Sequence, residues 1–127
     1  MLIADDDDDV RRMYAVALRS TCEVVEAADG RAALDLLSKE TFALLILDLH
    51  MPQLDGFEVL RLMGERSGAN AEIPVIVVTA DGTPEAQARA LRSRSAYFLS
   101  KPVPIRVLLT TVHSMLERAQ ARKSLPR

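Results

Sequence analysis

Little in this sequence points toward disulfides, membranes or nucleic acid. It holds one cysteine, Cys22, so no disulfide can form within the chain, and a reducing, cytoplasmic setting fits. No apolar run approaches the roughly 20 residues that span a bilayer. No basic segment followed by an apolar stretch opens the chain, so no signal peptide is expected. Neither charge dominates: 16 Lys and Arg stand against 18 Asp and Glu, a formal net charge of −2, and nothing global selects nucleic acid or an anionic membrane. A helix-turn-helix or basic recognition helix is also missing, so no direct nucleic-acid binding is expected. The two histidines, His50 and His113, lie far apart in the pattern and leave no zinc set. There is no internal repeat, low-complexity segment or interdomain linker.

What is present fits one domain of 127 residues, 49% of them hydrophobic. Short apolar runs alternate with amphipathic stretches. The runs Leu2–Ala4, Glu23–Ala27, Ala43–Asp48, Ile73–Thr79 and Ala96–Ser100 read as strands, and three of them are nearly continuous in Leu, Ile and Val. Between them the apolar spacing is helical. Val10, Met13, Tyr14, Ala17 and Leu18 make one stripe, and Ile105, Leu108, Leu109, Val112 and Leu116 make the last. Asp29 is a plausible N-cap, Asp8 and Asp9 suit the positive end of the first helix, and Asp55-Gly56 and Thr83-Pro84-Glu85 mark two further helix starts. The basic residues from Arg118 read as a C-terminal tail over 118–127, either a frayed helix end or a linker stub. A β-α unit repeated five times predicts an α/β fold with a parallel sheet and helices on both faces.

In such sheets the ligand sits at the carboxyl ends of the strands. The first strand ends in five consecutive aspartates, Asp5 to Asp9; the third ends in Asp48, the fourth in Thr79 and the fifth in Ser100-Lys101-Pro102. Converging carboxylates repel one another unless a cation intervenes. Oxygen ligands without a His or Cys cluster suit Mg²⁺ or Mn²⁺. Lys101 adds fixed positive charge, and Thr79 a hydroxyl able to donate to a phosphoryl oxygen. This set suits phosphoryl transfer, in which positioning and charge neutralisation do most of the catalysis. A carboxylate is itself a competent covalent acceptor. Asp48, at the end of the run Leu44-Leu45-Ile46-Leu47, is the expected one.

These residues bring a family into view. Ile3-Ala4-Asp5-Asp6-Asp7, Leu47-Asp48-Leu49-His50-Met51-Pro52-Gln53-Leu54-Asp55-Gly56, Val77-Val78-Thr79-Ala80 and Leu99-Ser100-Lys101-Pro102 stand in order at strand ends. Together they resemble the receiver domain of two-component response regulators, close to the free-standing chemotaxis type, across essentially the whole chain. The resemblance implies a doubly wound, flavodoxin-like (βα)5 fold with strand order 2-1-3-4-5. It implies phosphorylation of Asp48 by a sensor histidine kinase or phosphotransfer protein. It assigns Mg²⁺ (or Mn²⁺) to Asp5, Asp6, Asp48 and the backbone carbonyl of His50, and the phosphoryl group to Lys101. Thr79 and Phe98 would form the switch, and the Lys101-Pro102 bond would be cis. An output partner or output domain would read the face made by the fourth helix, fifth strand and fifth helix. The domain would be no enzyme beyond catalysing its own phosphorylation and dephosphorylation.

Several positions depart from the family pattern. His50 and Asp81 would flank the phosphoryl group on opposite sides and alter how fast water reaches it. Phe98 lacks the hydroxyl of a switch tyrosine. Arg92-Ser93-Arg94-Ser95 stands where a Gly-Ala pair is usual. Asp7, Asp8 and Asp9 exceed what the family needs. Two other readings compete: a metal-dependent phosphatase using an aspartyl intermediate, which generally wants a second acid where His50 stands, and a receiver that serves only as a constitutive interaction module.

Overall fold

The apolar runs become strands because their side chains alternate between two buried layers. The structure is a computed structural model and describes residues 1–65, 68, 70, 72–93 and 97–124. The elements are β1 (Leu2–Ala4), α1 (Asp8–Leu18), β2 (Val25–Ala27), α2 (Gly30–Lys39), β3 (Leu45–Leu47), α3 (Gly56–Glu65), β4 (Val75–Thr79), α4 (Pro84–Ser93), β5 (Tyr97–Ser100) and α5 (Ile105–Ser124). The sheet is parallel throughout, in the order β2-β1-β3-β4-β5. This is the expected doubly wound, flavodoxin-like α/β fold.

Leu2, Ala4, Leu45, Leu47, Val75 and Val77 face one core layer, which Ala33 of α2, Phe57, Leu60 and Met63 of α3, and Ala86 and Ala90 of α4 complete. Ile3, Ile46, Ile76 and Val78 face the other, filled by Tyr14, Ala15 and Leu18 of α1 and Leu108, Val112 and Met115 of α5. The period of two along each strand sets this division. Every residue of β1, β3 and β4 is buried, as strands covered on both faces must be. The edge strands β2 and β5 are more open.

Some elements depart from what the sequence predicts. β2 begins at Val25 rather than Glu23, β3 at Leu45 rather than Ala43, and β4 at Val75 rather than Ile73, since the ladders pair only those shorter segments. The expected start of β5, Ala96, lies outside the described residues, as do Arg94, Ser95 and Arg127. Met13 is 48% exposed; the buried face of α1 runs through Arg11, Tyr14, Ala15 and Leu18 instead. The α1 cap is Asp7, whose carboxylate accepts from the amides of Asp9 (3.1 Å) and Val10 (3.2 Å), so it is not surplus. Asp8 and Asp9 lie in the first turn. Asp29, Asp55 and Thr83 do cap as expected, accepting from the amides of Ala32, Glu58 and Ala86. α5 continues through Arg118 to Ser124.

Candidate functional site

The site grows from the ends of β1, β3, β4 and β5. The ladders continue one rung past β1 and β3: the Asp5 amide donates to Ala27 O (3.1 Å) and the Asp48 amide to Ala4 O (2.9 Å). Both acids are therefore held by the sheet itself and are buried, at 2% and 6% exposure, whereas Asp6 is exposed. Oxygens from the Asp5, Asp6 and Asp48 carboxylates lie within 4.8 Å of one another.

Such crowding needs positive charge. Lys101 supplies it: Nζ donates to Asp48 Oδ2 (2.9 Å) and lies 2.8 Å from Asp5 Oδ2. Its backbone is fixed by a hydrogen bond from its amide to Thr79 O (2.8 Å), and the Lys101-Pro102 bond is cis. Burial would lower the Lys101 pKa, but the hydrogen bonds to Asp5 and Asp48 outweigh it and push the ammonium up to about 12. Burial raises the Asp5 carboxyl, and the Lys101 contact only partly offsets it. The other oxygen of Asp48, Oδ1, accepts from the His50 amide (3.2 Å).

Three carboxylates face one ammonium, so the rim is short of positive charge. The donors are all oxygen, and a pair of buried acids is poorly neutralised by a single lysine. A hard divalent cation fits this set. Thr79 ends β4 fully buried, and its Oγ1 accepts from the Asp81 amide (3.3 Å). Phe98 is half-buried against the core layer that contains Val77, Ala86 and Ala90.

Glycine makes the closest approach possible. A Cβ on Gly56 would lie 2.3 Å from the Asp48 carbonyl oxygen, so only glycine lets α3 begin this close to the end of β3.

His50 and Asp81, expected on opposite flanks, meet each other instead: Nε2 lies 2.8 Å from Asp81 Oδ2, bridging the β3–α3 and β4–α4 loops. Hydrogen bonds from His50 and Thr83 hold the Asp81 carboxyl below its ordinary range. The His50 ring also meets Phe57 edge-on (centroids 6.5 Å apart, 78°), and the Arg89 guanidinium of α4 sits 4.0 Å over the same Phe57 ring. These contacts were not legible in the sequence, and neither was Arg11. Its place on the buried face of α1 was the available signal: Arg11, Tyr14, Ala15 and Leu18 share the i, i+3, i+4, i+7 spacing.

Strand order and a strand-end cluster of acids and lysine together define a class: doubly wound parallel α/β domains with an acidic pocket at the carboxyl rim. Comparison with known proteins fixes the family. The family model of the response regulator receiver domain matches residues 1–113. The transcriptional regulatory protein SrrA of Staphylococcus aureus is 30% identical over 122 residues, 95% of this chain and 49% of that protein. The chain thus spans about half the length of the curated relatives it matches. The chemotaxis response regulator CheY4 of Vibrio cholerae is 30% identical with a TM-score of 0.83, covering 90% of this chain and 95% of that one. A CheY-like receiver domain protein from Methanospirillum hungatei reaches a TM-score of 0.89 at 25% identity over 95% of each chain. This chain belongs to the response regulator receiver domains of two-component systems, whose general function is to be phosphorylated by a kinase. Among the described residues, no helix is long and apolar enough to cross a membrane.

Proposed function

We propose that Asp48 is the phosphoacceptor of this receiver domain and that Asp5, Asp6, Lys101 and Thr79 assist it. The observation that carries this reading is the ammonium of Lys101 shared between Asp48 Oδ2 and Asp5 Oδ2 at 2.9 and 2.8 Å. A carboxylate oxygen of Asp48 attacks phosphorus, a new O–P bond forms, and the bond to the leaving imidazole of a kinase or phosphotransfer phosphohistidine breaks. The imidazole departs with the electron pair and is protonated. Lys101 passes from the carboxylate to a phosphoryl oxygen. The His50 amide, already on Asp48 Oδ1, keeps the acceptor oriented. Asp5, Asp6, Asp48 and the His50 carbonyl would hold Mg²⁺ (or Mn²⁺), which when bound offsets charge on the phosphoryl oxygens.

Once phosphate is in place, the Thr79 hydroxyl releases the Asp81 amide and turns to it, and Phe98 moves into the space behind. The change is a population shift between two packings. The reader is an output partner or output domain that docks on α4, β5 and α5, where Leu91, Tyr97 and Val107 are 50%, 45% and 43% exposed. The domain works in the cytoplasm and turns over no substrate besides its own phosphoryl group.

Beryllofluoride with Mg²⁺ tests the switch. The expected result is a shift of the backbone amide resonances of Asp48, Thr79, Phe98 and Lys101, with changes spreading into α4. Unchanged spectra would instead favour a constitutive interaction module.

A further inference from the structure

We infer that Arg11 is a positioning residue for the acidic pocket, acting through the Asp5–Asp6 peptide rather than on the phosphoryl group. This rests on the proposal that Asp5 and Asp6 hold Mg²⁺. Arg11 belongs to α1, yet it is only 8% exposed. A buried guanidinium needs partners for its donors. Arg11 has three: one terminal nitrogen donates to the Asp5 carbonyl oxygen at 2.8 Å, Nε donates to Glu26 Oε1 at 3.1 Å, and the other terminal nitrogen meets Asp8 Oδ1 at 2.6 Å.

The first bond matters most for the site. The Asp5 carbonyl belongs to the planar peptide that also contains the Asp6 nitrogen. Fixing that oxygen fixes the plane joining the two acids, and so narrows the directions in which their side chains can leave. Asp5 then meets Lys101 with Oδ2 while Oδ1 accepts from the Asp7 amide at 2.9 Å. The other two contacts anchor the guanidinium. Glu26 lies in β2 opposite Ile3, so the fork is referenced to the sheet. Glu26 is held in turn by Arg19 at 3.0 Å. Asp8 ties the fork to the first turn of α1. The strand-end acids, the edge strand and the first helix are thus locked at one cation. Planar donors spaced as in guanidinium can serve all three acceptors; a lysine ammonium is a point donor and cannot.

The test is the Mg²⁺ affinity of the folded chain, read by titrating Mg²⁺ alone against the amide resonances of Asp48 and Lys101. Partners that orient metal ligands are commonly worth about 10-fold or more in affinity, and Arg11→Met is expected to weaken Mg²⁺ by about that factor. Arg11→Lys should fall between the parent and Arg11→Met. Arg12→Met, which removes an exposed positive charge from the same helix, should stay within about twofold. A readout free of metal accompanies it: exchange of the Asp7 amide hydrogen should speed up in Arg11→Met beyond any change in global opening. Acetyl phosphate labelling of Arg11→Met should recover at saturating Mg²⁺, a split that mere loss of stability does not produce. An Arg11→Met domain that is destabilised but binds Mg²⁺ within twofold of the parent overturns the inference. If Arg11→Met does not fold, Arg11→Lys decides: parental affinity and parental Asp7 exchange overturn it, and weaker binding with faster exchange supports it. A parent chain that shows no Mg²⁺ response at Asp48 overturns the underlying reading of the pocket as well.

Discussion

At the scale of single residues, the side chains around the pocket have little freedom. Gly56 lies against the Asp48 carbonyl, where a Cβ would approach to 2.3 Å, so Gly56→Ala must displace backbone. Overpacking of this kind costs about 1–3 kcal/mol, and urea unfolding of the variant should show a loss in that range. Lys101 gives a prediction with a definite sign. Its folded pKa is raised from 10.5 to about 12, so its stabilising contribution is complete below 10.5 and disappears as pH rises through about 12. Stability measured across that window should fall in the parent, and Lys101→Met should lack that portion of the fall. Which of these residues mattered was partly legible in the sequence. Asp5, Asp6, Asp48, Thr79 and Lys101 stand beside apolar runs, and strand ends in a parallel sheet converge. Arg11 was hidden because a charged residue in a helical stripe reads as solvated until its acceptors are known.

Elements carry the next layer of explanation. Five aspartates in a row disguised where α1 begins, since any of them could cap it. Asp7 does so, with two backbone amides on its carboxylate. Asp7→Ala should therefore cost about 1 kcal/mol, measurable by thermal or urea unfolding, and should leave Mg²⁺ binding near parental. The loops following β3 and β4 hold a less legible device. His50 and Asp81 are 31 residues apart, and only the folded sheet brings their loops side by side at 2.8 Å. The family resemblance put them on opposite flanks of a phosphoryl group and gave no sign to their effect. If this bridge screens the approach to Asp48, removing it should speed both gain and loss of a phosphoryl group there. In Asp81→Ala, labelling by acetyl phosphate and loss of the phosphoryl group should both quicken several-fold, up to about 10-fold, equivalent to 1.4 kcal/mol of barrier. Time courses of phosphorylated protein, followed by mass, check this. Equal rates in the parent and variant would show that the bridge leaves the approach open.

For the molecule as a whole, the fold places a crowded set of acids where only added cationic charge relaxes them. The topology was legible because alternation of apolar runs and helical stripes leaves few parallel arrangements; the strand starts were not, because the apolar runs at Glu23, Ala43 and Ile73 begin two residues before the segments that pair. Under the proposed reading Mg²⁺ should stabilise the entire domain, since the acidic pocket is assembled only on folding. At 100 times its dissociation constant the gain is about 2.7 kcal/mol, visible as a raised Tm that Asp6→Asn largely loses. The phosphoacceptor itself is tested most directly by incubating the chain with acetyl phosphate and Mg²⁺ and mapping the product by mass spectrometry. The account predicts one phosphoryl group, carried on the peptide that contains Asp48 and missing from Asp48→Asn. Equal labelling of Asp48→Asn, or no labelling of the parent, would contradict it.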